Sequence, residues 1–398
     1  MRNKNKVVGI SILTIVLLII LIIVVCKKNQ REISQEERMD NWLMEAELDK
    51  PQSANELYQA ALQEDILIIY SVSTRVFDVK ESFEKEYPGL TVEIKDVRSN
   101  DLVKMVKENY QSGDFACDLV VCSDCDGSLY KELLEPGIVY TYVPPDIAPK
   151  IKEGYVKEEL EFLGEIMMVV YNGDVYDTPP IDNIWEMTHK SYKGKIIMAN
   201  PISSFSTYGF CATVLRESEL MEKAYEQYAG KPLTLPEGKS AGEVFWEQAA
   251  ENIVFTNSSD EVLEGIGNDG SDGMKLGFMI SSKMRYQEIG YQIEPIYQLK
   301  PFAAVYTPNS VSIAGGSKNI NTAKLFIRYM LGESDGTGKG LKPFRTKGTW
   351  SIRTDVLDGN DVLLEEIDLR FLDKSYLYEK REEMICFWEE ILKKNVVQ

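Results

Sequence analysis

Asp65-Ile66-Leu67-Ile68-Ile69-Tyr70-Ser71-Val72-Ser73 opens the stretch that decides the fold, and the pattern begun there runs to Asp124. Residues 66–69 are apolar, largely β-branched and bounded by polar residues, the signature of a short buried strand. Val76, Val79, Phe83 and Tyr87 then recur at helical spacing until Pro88-Gly89 stops them. Leu90, Val92 and Ile94 alternate as a strand does. Leu102, Val106 and Tyr110 restore the helical period up to Gly113, and residues 119–122 are apolar again. Strand–helix–strand–helix–strand order predicts an α/β fold with a mostly parallel sheet and helices on its faces. Ligands of such sheets lie beyond the carboxyl ends of the strands. Ser71 and Ser73 stand at the end of the first strand and Ser123-Asp124 at the end of the third, so a small ligand is expected there.

The 398 residues suffice for two domains with real cores. A net charge of −19 argues against nucleic acid and against a polybasic membrane-surface mode. The charge is spread along the chain and reads as a solvated surface. The single histidine, His189, lies in a loop-like stretch and makes a serine–histidine hydrolase and His-pair metal motifs improbable. Of six cysteines, Cys122 and Cys125 form a C-x-x-C without a second pair at zinc spacing. A thioredoxin-like use, a disulfide or two plain thiols all stay open for it. Cys117, Cys211 and Cys386 sit on apolar faces and read as core.

Towards the N-terminus, residues 7–26 carry no charge and lie between Arg2, Lys4, Lys6 and Lys27, Lys28. That run is long enough to span a membrane once, and residues 1–28 read as an uncleaved anchor with the bulk of the chain outside. A lipoprotein at Cys26 is an alternative, although Val25 stands where a small residue belongs, and a free secreted form is another. Residues 29–54 read as a charged tether. Towards the C-terminus, residues 165–172 form a strongly apolar strand, and Thr178-Pro179-Pro180 breaks regular structure. A strand at 195–198 runs into Ser203, Ser204, Ser206 and Thr207 at a helix start. Free N–H groups there attract an anion and the hydroxyls add donors, whereas a plain cap needs only one hydroxyl. Residues 223–239 look like an insertion. Residues 275–280 form a strand ending in Ser281-Ser282, so serine pairs recur at strand ends in both halves. Residues 303–313 form a second long apolar strand containing Tyr306, suited to a return crossing. The glycine-rich loop at 332–340 lacks the Lys-Ser/Thr of a phosphate-binding loop. Residues 363–396, with Trp388, read as an acidic helical stretch that packs as a C-terminal tail.

Several pieces together resemble a known family. They are Leu67-Ile68-Ile69-Tyr70-Ser71-Val72-Ser73, Phe83-Glu84-Lys85-Glu86-Tyr87-Pro88-Gly89, Cys117-Asp118-Leu119-Val120, Met168-Val169-Val170-Tyr171-Asn172, Tyr192-Lys193-Gly194-Lys195-Ile196, the 201–209 stretch and Asn321-Thr322-Ala323-Lys324-Leu325-Phe326-Ile327. In this order they resemble the type II extracellular solute-binding proteins of bacterial ABC transporters, in the branch with ferric-iron, thiamine and phosphonate binders. The resemblance implies a two-lobe periplasmic-binding-protein-like fold with hinge crossing strands, here preceded by a transmembrane helix. Lobe I is placed at 55–170 and 304–350, lobe II at 171–303, and a tail at 351–398. The family's ligand contacts fall on Ser71, Ser73, Asp124, Ser203, Ser204 and Thr207, and Ser281 and Tyr306 complete the candidate ligand set. The hydroxyls suit an anion and Asp124 an amine, so an anionic or zwitterionic solute is expected. The ferric branch uses adjacent tyrosines, and this chain has no Tyr-Tyr pair, which speaks against direct iron binding. No cofactor, metal or catalytic residue is expected. The implied partners are an ABC permease and ATPase, with the chain a monomer tethered to the cell membrane. A sensor lobe for a membrane receptor and an extracellular hydrolase are the alternatives.

Overall fold

The computed structural model describes residues 34–156, 159–267 and 275–396, so the anchor expected at 7–26 lies outside the described residues. No helix among the described residues is long and apolar enough to cross a membrane. Met1–Ala46 is one compact unit, of which helix α1 (Gln35–Ala46) is described, with Glu36 and Glu37 at its positive N-terminal end. Glu47–Gln398 is the other.

The larger unit opens with α2 (Ala54–Ala61), whose N-terminus is closed by a capping box: Glu56 N–H donates to Ser53 Oγ and Ser53 N–H to the Glu56 carboxylate. Then follow β1 (Leu67–Ser71), α3 (Val76–Glu86), β2 (Val92–Asp96), α4 (Ser99–Ser112) and β3 (Leu119–Cys122), in the alternation the spacing predicts. A helical turn at Tyr130–Leu134 leads to β4 (Val139–Tyr140) and the long strand β5 (Leu160–Asn172). The second half contains β6 (Ile196–Ala199), α5 (Phe205–Arg216), α6 (Ser218–Ala229), α7 (Ala241–Ala249), β7 (Ile253–Thr256), α8 (Ser259–Gly267), β8 (Leu276–Ile280) and β9 (Ile293–Pro295). The chain returns through β10 (Ala304–Ala314) and α9 (Ile320–Met330), and ends with β11 (Leu369–Arg370), α10 (Lys374–Glu379) and α11 (Arg381–Val396).

The strands run in the order β2-β1-β3-β10-β5-β8-β6-β7, with β4 and β11 added to β10 and β9 to β5. β2, β1 and β3 are mutually parallel, as are β8, β6 and β7, while β10 and β5 pair antiparallel with each other and with their outer neighbours. Two parallel α/β halves are thus joined by two long crossing strands, the two-lobe architecture expected. Both crossing strands are buried along almost their whole length, which is why they read as apolar runs and not as alternating ones. β5 starts earlier than its apolar run because Glu161 is tolerated inside it, accepting a hydrogen bond from Tyr306 Oη at 2.8 Å. A register shift between Asn309 and Ser310 bends β10 where it passes from one half to the other.

Two expectations need correction. The insertion-like stretch at 223–239 begins as helix: Met221 and Ala224 of α6 are buried, and Met221 O accepts from the Trp185 indole at 2.9 Å. Cys386 is exposed, because Met384, Trp388 and Ile391 take the inward face of α11. The C-terminal residues pack on the body of the protein, as expected. Trp388 is buried with its ring 5.2 Å from that of Trp246, and Asn395 Nδ2 donates to Ala250 O at 3.0 Å. The glycine-rich loop after α9 wraps a buried arginine: Arg353 donates to the carbonyls of Leu331 and Glu333 at 2.7 and 2.5 Å.

Candidate functional site

The carboxyl ends of β1, β3 and β8 meet over the crossing strands, and polar side chains tie them together there. Ser71 ends β1 and folds the chain back on itself, its Oγ donating to Ser73 O and accepting from Ser73 N–H, each at 3.0 Å. Two residues on, Arg75 precedes α3 and reaches Glu165 of β5 with an N···O distance of 2.5 Å, its guanidinium 5.4 Å from the ring centre of Phe344. The other Glu165 oxygen accepts from Asn309 Nδ2 of β10 at 3.0 Å, and Asn309 Oδ1 accepts from Ser123 Oγ, just past β3, at 2.9 Å. Ser282, just past β8, also hydrogen-bonds Glu165. Burial pushes the Glu165 carboxyl up, but the Arg75 charge and the bonds from Ser282, Asn309 and Arg75 outweigh it and hold it below its ordinary value. Arg75 Nη1 is buried with no hydrogen-bond partner among the described residues. Buried donors are normally satisfied, so this nitrogen has a bond left to make.

Asp124, beside Ser123, is buried and accepts from the N–H groups of Leu129 at 3.2 Å and Tyr130 at 3.0 Å. Burial raises its carboxyl to about 6, against the lowering effect of the Lys374 charge, with Asp126 adding a further upward push. On the facing half, α5 begins at Ser204, where no side chain caps the free N–H groups. The Ser204 hydroxyl instead meets that of Thr207 at 2.9 Å, and exposed Ser203 donates to Asn200 O at 3.2 Å. The two halves touch here: a Cβ on Gly209 would lie 3.2 Å from Cys125 O. Ser71, Ser73 and Asp124 therefore end the strands of one half, and Ser203, Ser204 and Thr207 start the helix of the other.

Two candidate residues are placed differently. Ser281 Oγ lies inside the protein, donating to Gly348 O at 2.6 Å and accepting from Ile166 N–H at 2.9 Å. Tyr306 is 4% exposed and held by Glu161, so its hydroxyl faces the core. Cys122 and Cys125 are free, buried thiols that burial pushes well above their ordinary range, the reverse of a redox-active pair. Sequence reading overlooked Arg75, Glu165 and Asn309, and of the pair Ser281-Ser282 took Ser281 as the candidate instead of Ser282. The available signal was a glutamate heading the apolar run at 165–172 and an asparagine inside the one at 303–313. A charge or amide in a fully buried strand needs a partner.

A profile of the family described as bacterial extracellular solute-binding protein matches residues 53–336. The chain belongs to this family. It is an extracellular solute-binding protein of the kind that serves ABC transporters. Comparison with curated protein sequences gives no match. Among solved structures, the chain is similar to iron-bound HitA from Pseudomonas aeruginosa, with TM-score 0.60, 14% identity and coverage of 82% of this chain and 99% of that one. It is also similar to AfuA from Actinobacillus pleuropneumoniae with fructose-6-phosphate bound (TM-score 0.59, 17% identity, 82% and 98% covered). A substrate-binding protein of an ABC transporter from Agrobacterium tumefaciens gives TM-score 0.62 at 14% identity, with 83% and 94% covered. At such identities the likeness establishes the two-lobe fold of type II periplasmic binding proteins. Among the described residues, no group of three His, Cys, Asp or Glu side chains is placed to hold a metal ion.

Proposed function

We propose that this protein is the substrate-binding component of an ABC importer and captures a small zwitterionic solute, acid group and amine together, in the cleft between its halves. The observation that carries the reading is the buried, unpartnered Nη1 of Arg75 at the carboxyl end of β1. The uncapped N-terminus of α5, with Ser203, Ser204 and Thr207 around it, offers further donors to the same acid group. Asp124 supplies the opposite charge for an amine, while Ser71 and Ser73 shape the turn that carries Arg75. Lobe I spans 55–170 and 304–350 and lobe II 171–303, closing about β5 and β10 as a hinge. A permease and an ATPase are the partners, and residues 7–26 anchor the protein to the cell membrane. The protein binds its solute without turning it over.

The test is a calorimetric titration of the full chain with amino acids, phosphorylated amines, thiamine, phosphonates, a sugar phosphate and ferric citrate. A zwitterion should bind, and its affinity should fall at least tenfold in Ser204→Ala/Thr207→Val. Binding of ferric iron alone would overturn the reading.

A further inference from the structure

The C-terminal segment lies in the seam between the two halves and grips both. Leu369 and Arg370 add to β10 as a parallel strand beside Ala304 and Val305. Leu372 then packs on α5, with its Cδ2 only 3.0 Å from where a Cβ on Gly209 would stand. Leu377 O accepts from Tyr208 Oη of the same helix at 3.0 Å. On the other side, Lys374 ion-pairs with Glu159 and sits 4.0 Å from Asp124, and Arg381 Nε lies 3.2 Å from Asp126 Oδ2. The fit to the first half is close. Gly127 has φ +78°, and a Cβ there would fall 2.1 Å from Lys374 O.

Asp124, Asp126 and Glu159 are all buried, at 1%, 1% and 4% exposure. Three buried carboxylates require cations or protons, and among the described residues Lys374 and Arg381 are the cations that pair with them. Glu159 Oε1 and Asp126 Oδ2 have no other hydrogen-bond partner among the described residues. The remaining Glu159 oxygen is fixed by Ser310 Oγ of the crossing strand β10 at 2.7 Å, so this carboxylate is aimed from the hinge into the seam. The seat is thus built on the first half and the hinge but filled from a separate stretch of chain, one that starts after the residues the family profile matches.

We infer that residues 371–381 are an internal occupant of the solute cleft, with the Lys374 ammonium in the seat of a primary ammonium group of the solute, so that solute capture displaces the segment. This rests on the solute-binding reading above and narrows it to solutes bearing a primary amine. It also makes the resting protein self-closed, because the same segment links Asp126 and Gly127 on one half to Tyr208 and Gly209 on the other.

Lys374→Ala in the full chain removes three methylenes and the ammonium, which n-propylammonium restores. Its melting temperature should rise saturably with n-propylammonium chloride, while n-propanol has no such effect and the wild type does not respond. Lys374→Gln, of similar length but uncharged, serves as the second variant and should be unresponsive, its seat being filled. In Lys374→Glu/Arg381→Glu, like charges should expel the segment. Amide exchange at 371–381 should then quicken at least tenfold while β5 and β10 stay protected. Lack of rescue by n-propylammonium overturns the inference, as does exchange that quickens equally in β5 and β10, which would make the segment part of the core. A solute that binds the wild type without altering exchange at 371–381 overturns this inference alone. A released variant that binds nothing in the solute panel overturns the importer reading itself.

Discussion

Arg75→Ala is the perturbation that most directly tests the polar junction at the strand ends. It leaves Glu165 buried with its charge partner gone. The Arg75 and Glu165 side chains are 14% and 6% exposed, so solvent screens the pair little. Removing one member of a buried pair costs about 3–5 kcal/mol. Unfolding entropy of about 2.1 cal/mol/K per residue gives roughly 0.7 kcal/mol/K for a unit of this size, hence a fall in Tm of about 4–7 °C. The loss has a pH signature. In the wild type the Glu165 carboxyl lies below its ordinary value, so its stabilisation is present above that value and is lost only as pH falls through the lowered one. In Arg75→Ala, burial loses its main opponent and the carboxyl moves up. The variant's deficit should therefore be largest at pH 7 and shrink towards pH 5, as Glu165 takes up a proton in the folded state. Urea unfolding of both proteins at the two pH values reads this as a difference, in which the titration of groups common to both cancels. Arg75→Met/Glu165→Leu, which removes both charges, should recover much of the loss. A deficit below about 1 kcal/mol, in the range of an exposed pair, or one unchanged between pH 7 and 5, would refute the reasoning.

Asp124, raised from 3.8 to about 6, binds more protons folded than unfolded between those values, so stability should fall as pH rises through the window, by about 3 kcal/mol in all. Asp124→Asn should flatten that slope in urea midpoints taken at pH 4, 5, 6 and 7; an unchanged slope would show that Asp124 does not titrate there. Ser281→Ala strands Ile166 N–H and Gly348 C=O and should cost about 1–3 kcal/mol while leaving solute affinity as it is; calorimetry on the variant checks both. Trp388→Ala empties a site packed against Trp246 and should cost about 3–5 kcal/mol by denaturant unfolding, whereas a free tail would cost nothing.

Much of the fold was legible because it rests on patterns of one residue type. The alternation of β1, α3, β2, α4 and β3 follows from apolar spacing alone, and the crossing strands announce themselves as the two long apolar runs. The site was harder to read, for a physical reason. Serines at strand ends such as Ser71 are visible because turns need them, but a turn serine and a ligand serine look alike: Ser281 holds Gly348 and Ile166 together instead of facing the cleft. The groups that carry charge at the junction, Arg75 and Glu165, lie 90 positions apart and acquire meaning only when β5 crosses beneath the end of β1. Local spacing cannot show such a pair, although a carboxylate heading a buried strand implies that a partner exists.

The C-terminal segment illustrates the same limit from the other direction. Residues 363–396 read as an acidic helix that packs through Trp388, but Glu365, Glu366, Glu379, Glu382, Glu383, Glu389 and Glu390 dominate the stretch and nothing in it says where it packs. The residues that fix its place are few: Leu372, Leu377, Trp388 and Ile391 for packing, Lys374 and Arg381 for charge. Its mean composition describes the face turned to water, and its position is set by the face turned inward. The two cations matter because of what they meet. A chain with net charge −19 can keep Asp124, Asp126 and Glu159 buried together only with compensating charge close by, and that compensation comes from more than two hundred positions further along the chain. A buried carboxylate cluster at the strand ends and a lysine on a distant acidic tail are each unremarkable alone. Their pairing ties the strand ends of the first half to the tail.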